Sequence, residues 1–295
     1  MSHFSTPFRF LSPAFMTAAL LLASFSTTLA GGPWLLPKKA GFAQVMATPA
    51  AYPYTRLLNG TFRETAGINR SVYTVDFGFY GEYGITDKVN VMASIPLKLA
   101  SVGNQTDSLY NPTLLENGSI FGLSNTAVGL KFRLLDTDHK LAVSLQSSLN
   151  TVSTDLDKGL ATGWAANAFG VKLHYGAGFN ANWYAFVEAG YLKYTNNFSD
   201  IIDGTVEVGR KVGDKFTLML TTLVRLSLRN GSYLNENLVQ TGLSPNDQEW
   251  VATNFKINYE AESDWGVNFG LPVVPIYFKN VGFTGAFSLA VYKKW

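Results

Sequence analysis

The chain has 295 residues, a formal net charge of +2, 27 glycines, 14% aromatic residues and no cysteine. Without thiols there is no disulfide scaffold, thiolate metal site, cysteine nucleophile or lipid-anchor cysteine. The near-neutral balance carries no polybasic footprint, so no nucleic-acid partner is expected.

Arg9 stands in a short polar lead, Ala14 to Phe25 is apolar, and Thr28-Leu29-Ala30 offers a small-x-small cleavage site. This predicts a secretory signal peptide over residues 1–30, cut after Ala30. Its apolar core is too short for a transmembrane helix, which needs ~20 residues. No later stretch is apolar for that length, so a membrane crossing must use strands. Pro33 and Pro37 argue against a strand in residues 31–39, which read as an N-terminal periplasmic segment before a domain spanning 40–295.

Gly41 to Thr48 reads as a short first strand and 50–69 as a loop. Ser71 to Leu99 alternates with period two on both sides of the turn Thr86-Asp87-Lys88. Tyr73, Val75, Phe77, Phe79, Tyr83 and Ile85 share one face, and Thr74, Asp76, Tyr80 and Glu82 the other. Val89, Val91, Ile95, Leu97 and Leu99 then oppose Asn90, Ser94 and Lys98. This two-faced hairpin fits either a half-buried sheet in a soluble sandwich or a barrel wall with lipid outside and water inside.

The rest of the chain decides between them. Alternating strands follow over 125–135, 140–150, 165–178, 183–194, 205–212, 215–229, 251–260, 265–271 and 283–295. Arg210 is the exception on an otherwise apolar face. Connections alternate between short (86–88, 136–139, 180–182, 213–214, 262–264) and long (50–69, 101–119, 152–163, 195–204, 230–249, 272–281). Transmembrane barrels have this asymmetry, and Greek-key sandwiches have no reason for it. Strands of roughly 9–13 residues match a tilted bilayer crossing. The predicted fold is therefore all-β: an antiparallel transmembrane β-barrel of about twelve strands, with short periplasmic turns and long extracellular loops, in the bacterial outer membrane.

Tyr83, Tyr175, Trp183, Phe216, Tyr259, Trp265 and Trp295 all fall at the short-turn ends of the apolar face, as in an interfacial aromatic girdle. Aromatics are common in strands anyway, but their clustering at one level favours the girdle. The final strand ends on an aromatic, Trp295, with Phe287, Leu289 and Val291 on the same parity. It is similar to the C-terminal signature read by the outer-membrane assembly machinery, although Lys293 departs from that pattern.

Tyr83-Gly84-Ile85-Thr86-Asp87-Lys88-Val89-Asn90-Val91, followed by Ser94-Ile95-Pro96, resembles the hairpin of the outer-membrane barrel family named after the meta-pathway of phenol degradation. Gly32-Pro33-Trp34, Pro37-Lys38-Lys39 and Gly41-Phe42 resemble the mature N-termini of related barrels from Bacteroidetes-like bacteria. The resemblance is motif-level over about 60 residues. It implies an outer-membrane transporter barrel of around a dozen strands and carries over no catalytic motif. The family's name does not establish a phenol substrate.

Strand parity points Asp76, Lys98, Lys131, Arg133, Lys172, Glu188, Arg225, Arg229 and Lys256 into the lumen, with Glu82, His174, Glu207 and Glu260. A charge facing lipid near the midplane would cost ~2–4 kcal/mol. These nine residues are the candidate solute-binding lining of a polar conduit; the plainer reading is a narrow lumen filled by ion pairs. Counting back from the turn centres sets Asp76 opposite Lys98 and Glu188 opposite His174, which favours pairing there. Lys131, Arg133, Arg225 and Arg229 look less compensated, which suggests a weak preference for anionic solutes. An enzyme is the rival class, since twelve-stranded phospholipases carry Ser, His and Asn on the lipid face. Here His174 faces inward and no nucleophile is apparent beside it, so the chain reads as a non-enzyme without metal or cofactor. The partners expected are outer-membrane lipid, the assembly machinery through Trp295, and a small solute that the chain passes or binds. The alternatives are a plugged structural or adhesive barrel, or a lipid-modifying enzyme.

Overall fold

The computed structural model describes residues 31–52, 55–59, 63–68, 70–105, 114–239, 241, 243, 245–271, 274–282 and 285–295. The expected leader, 1–30, lies outside them, as do parts of the 50–69 and 101–119 segments. Twelve antiparallel strands form the wall. They are β1 (Gly41–Tyr52), β2 (Val72–Thr86), β3 (Val89–Val102), β4 (Gly118–Leu123 and Thr126–Asp136), β5 (His139–Leu149) and β6 (Ala168–Gly178). Then come β7 (Trp183–Tyr194), β8 (Ile201–Val212), β9 (Phe216–Ser227), β10 (Glu249–Glu260), β11 (Trp265–Gly270 and Val274–Gly282) and β12 (Gly285–Ala286 and Ser288–Lys294).

Each strand pairs with its sequence neighbour, and β1 pairs with both β2 and β12, from Gly41↔Tyr83 on one side and Phe42↔Lys294 on the other. Closure removes the free edges that twelve long strands would otherwise expose. The closing seam is tight at Gly41, where an added Cβ would run into the indole of Trp295. Both termini of the barrel sit at the short-turn end, as an even strand count requires.

The alternation sorts the faces as the sequence predicts. Tyr73, Phe79, Val91, Leu145, Phe169, Val187 and Leu220 point outward and are exposed. Thr74, Glu82, Asn90, Lys131, Ser144, His174, Glu188 and Thr221 point inward and are buried. A water-facing barrel exterior of this kind would be a continuous apolar band, so its proper surround is hydrocarbon. All seven girdle aromatics lie exposed at the short-turn level. The two outward-facing cations at that level lie against them. Arg210 sits 5.2 Å from the Trp183 ring centre, and Lys293 5.8 Å from that of Trp265. Both are cations at the interface rather than in the hydrocarbon, which is why an apolar face tolerates them.

The structure extends the strands beyond the predicted bounds on the long-loop side. β1 runs on to Tyr52, and Thr55–Asn59 pairs with Arg63–Ile68 as a hairpin where a loop was expected. The 272–281 segment, read as a loop of unexplained apolar content, is the second half of β11 over Val274–Gly282 and pairs with β10. Pro272 and Pro275 hide this strand from an alternation count. A third proline has a structural signature. Pro96 lies within β3 with its backbone edge toward β4, where its carbonyl accepts from Ser124 N at 2.8 Å. It has no N–H to return, and β4 breaks opposite it, between Leu123 and Thr126. The Asn125 side chain at this break ties down the segment leading into β6, donating to Trp164 O at 2.8 Å and accepting from Trp164 N at 2.8 Å.

Candidate functional site

The lumen is filled from below by residues 31–39. Lys39 N donates to Gly84 O at 2.8 Å and Lys38 N to Asp87 Oδ1 at 2.9 Å, which pins the segment to the β2–β3 turn. At Gly84 an added Cβ would collide with the Pro37 carbonyl, so only glycine lets the segment lie this close. Above that point Pro33 and Leu35 are buried. The Trp34 indole packs edge-on against Tyr184 at 5.5 Å and Phe186 at 5.8 Å. Backbone carbonyls of the segment accept from wall cations, Trp34 O from Lys131 Nζ at 3.4 Å and Leu35 O from Arg133 Nη2 at 3.3 Å. Gly32, at φ +85°, turns the chain so that its N–H reaches Glu188 Oε1 at 2.5 Å.

At the other end the described parts of the long loops pack against the wall. Ala50, Val72, Ala100, Val102, Leu160, Leu243 and Ala286 make a small apolar core beneath them. Arg70 stitches three segments together there, donating to the carbonyls of Gly103 at 2.9 Å, Glu116 at 2.7 Å and Lys158 at 3.1 Å. Nothing in the local sequence marks Arg70; only its burial on the loop side reveals it.

Between the N-terminal segment and this core lies a cavity of about 430 Å³. Asp76, Lys98, Lys131, Lys172, Glu188, Arg225 and Lys256 line it. Arg133 stands at the periplasmic mouth instead, against Leu35 and Asp136, and Arg229 stands on the extracellular rim, half-exposed. The lining alternates charge with apolar surface from Met46, Met92, Leu192, Leu223 and Trp250.

The lining charges are neutralised in pairs. The turn counts hold: Asp76 faces Lys98 in register at 3.2 Å, and His174 faces Glu188 at 2.9 Å. Lys172 meets Asp203 at 3.0 Å, and Lys256 meets Glu207 at 3.5 Å. Three cations expected to be less compensated are paired as well, Lys131 with Glu82 at 3.0 Å, Arg133 with Asp136 at 2.5 Å and Arg229 with Glu249 at 2.6 Å. The Arg225 guanidinium lies over the Trp164 ring at 4.4 Å and donates to Tyr194 Oη at 3.1 Å. Asp136 is shared between Arg133 and Lys140, Glu249 is shared between Arg229 and Lys279, and Arg225 rests on aromatic side chains, so compensation is fullest at Lys131. The sequence count missed these partners because Glu82 and Lys131 lie on β2 and β4, with β3 between them, and because Asp136 and Glu249 stand at strand ends.

One more group was missed. Ser144, on β5, bonds His174 Nε2 at 2.8 Å, while His174 Nδ1 bonds Glu188 at 2.9 Å. The count from the β6–β7 turn found the histidine and the carboxylate. The hydroxyl comes from the strand on the other side of β6, where Lys172 and Ser144 are register partners.

The described wall is a closed barrel with an apolar exterior, a polar lumen and both termini at the short-turn end. Its geometry can be set beside known proteins. No family model matches the chain, and no curated protein matches it. Among solved structures it is similar to an outer-membrane channel from Pseudomonas putida F1, at 12% identity, covering 92% of this chain and 100% of that one, with a TM-score of 0.68. The chain folds as an outer-membrane β-barrel. It is also similar to a mutant of the monoaromatic hydrocarbon channel TodX (9% identity, 95% and 97% covered, TM-score 0.49). The monoaromatic hydrocarbon channel CymD is a third neighbour (9% identity, 88% and 89% covered, TM-score 0.46).

Proposed function

We propose that this protein is an outer-membrane channel or transporter that takes up a small solute. The observation that carries this reading is the 430 Å³ lumenal cavity, which lies above the 31–39 segment and is lined by both paired charges and apolar side chains. Its volume falls in the range of small-molecule sites, about 300–1,000 Å³. The pairing of its charges fits a solute of mixed or apolar character better than a simple ion. The similar barrel from P. putida F1 is called a channel, which agrees with the reading.

The narrower assignments belong to the same proposal. The hairpin around Thr86-Asp87-Lys88 and the start Gly32-Pro33-Trp34 support membership in the barrel family named after the meta-pathway of phenol degradation, in a Bacteroidetes-like lineage. The leader pattern supports export with cleavage after Ala30, and the aromatic end at Trp295 supports delivery by the outer-membrane assembly machinery. Outer-membrane lipid is the surround that the outward face fits. Transport rather than catalysis is the principal activity. Uptake by a deletion strain tests this. Restoring the gene should raise the accumulation of at least one small solute from a labelled panel, and equal accumulation with and without it across the panel contradicts transport.

A further inference from the structure

Ser144, His174 and Glu188 form a continuous hydrogen-bonded chain inside the lumen, at 2.8 and 2.9 Å. All three side chains line the cavity. Glu188 is held in place independently by the Gly32 N–H at 2.5 Å. A carboxylate on Nδ1 fixes the tautomer that leaves Nε2 as the acceptor for the serine hydroxyl. This is a nucleophile, a base and an orienting group in hydrogen-bond reach of one another. The surroundings add to it. On the strand ladder Ser144 is the register partner of Lys131 on one side and Lys172 on the other, with all three on the lumen face. Directly opposed side chains stand about 4.5–5.5 Å apart at Cβ. The two lysine stems therefore stand beside Ser144, with their ammonium groups paired to Glu82 and Asp203 at 3.0 Å each.

We propose that Ser144, His174 and Glu188 are a lumenal acyl-transfer site that hydrolyses a small carboxylic ester carried in the cavity. Ser144 Oγ attacks the ester carbonyl carbon as its proton passes to His174 Nε2. The carbonyl electron pair moves onto its oxygen in the tetrahedral intermediate. The C–O bond to the alcohol breaks, and the departing alkoxide takes the proton from His174. Water, deprotonated by His174, then attacks the acyl-serine and releases the acid. Ester and water become acid and alcohol, and no redox partner is needed. Because the site faces the lumen, its substrate is a solute in transit and not a bilayer lipid. The proposal goes beyond transport, and if sustained it replaces the expectation of a non-enzyme.

The test is covalent labelling of the full-length protein, refolded and checked by heat-modifiable gel migration, with diisopropyl fluorophosphate. The wild type and Ser148→Ala should be labelled equally, with the adduct mapped to Ser144 by mass spectrometry. Ser144→Ala should abolish labelling, and His174→Ala and Glu188→Gln should slow it by at least about 100-fold. A variant lacking residues 31–36 gives the probe a second route to the serine. If neither folded form is labelled, or if labelling survives Ser144→Ala, the proposal is overturned and the chain of bonds is only a strut holding the N-terminal segment. The experiment reads labelling rather than flux, so its failure leaves the transport reading standing.

Discussion

Lys131 and Glu82 have almost no exposed side-chain surface, yet they meet as amine and carboxyl at 3.0 Å. What makes this tolerable is a full set of partners. Glu82 also accepts from Asn90 Nδ2 at 2.6 Å and Tyr80 Oη at 3.0 Å. Removing one member of such a pair strands the other without water, which costs about 3–5 kcal/mol. Glu82→Gln should therefore lower the barrel's stability by that order, measured by urea titration of the heat-modifiable folded band. An unchanged midpoint would mean that water reaches Lys131. Asp200 gives a pH prediction on the loop side. Burial raises its carboxyl, but bonds from Tyr191 Oη at 2.6 Å, Asn230 Nδ2 at 3.0 Å and Tyr194 N at 3.0 Å outweigh this and hold it below its ordinary value. A lowered folded value contributes stability above the ordinary carboxylate pKa and loses it as pH falls through the folded one. The 195–200 and 228–231 segments should thus open to protease below about pH 4, and Asp200→Asn should open them already at pH 7. At this scale the sequence was legible wherever partners were hairpin neighbours, as with Asp76 and Lys98. It was illegible for Ser144 and Glu82, whose partners lie one hairpin over or two strands away.

The strands themselves were legible because a barrel wall enforces strict alternation, with one face meeting lipid and the other the lumen. Alternation runs unbroken through Pro96 to Leu99, but it fails in the second half of β11, which carries Pro275. The least predictable element is residues 31–39. Its prolines excluded a strand, but no local pattern announces a segment threaded back into the lumen. Its placement depends on Gly84, whose missing side chain admits Pro37. Gly84→Val should therefore unseat it. With Leu36→Cys as reporter, maleimide labelling from the periplasmic side should rise several-fold in the Gly84→Val background. Equal labelling in both backgrounds would place the anchor elsewhere, at Lys39 or Asp87.

For the whole molecule, the exterior, the lumen and the N-terminal segment describe a barrel whose periplasmic half is occupied beneath a lumenal cavity. The paired charges make the lumen neutral in effect, and the N-terminal segment occupies its periplasmic half. The fold therefore separates two properties that an open porin combines, the wall that crosses the membrane and the path through it. Planar-bilayer recording of the full-length barrel beside one lacking residues 31–36 tests this separation most directly. The full-length protein should show small, infrequent conductance steps, and the shortened barrel should show large, stable ones with little preference between potassium and chloride. Equal conductance in the two, whether both silent or both large, would contradict a solute path that the N-terminal segment closes.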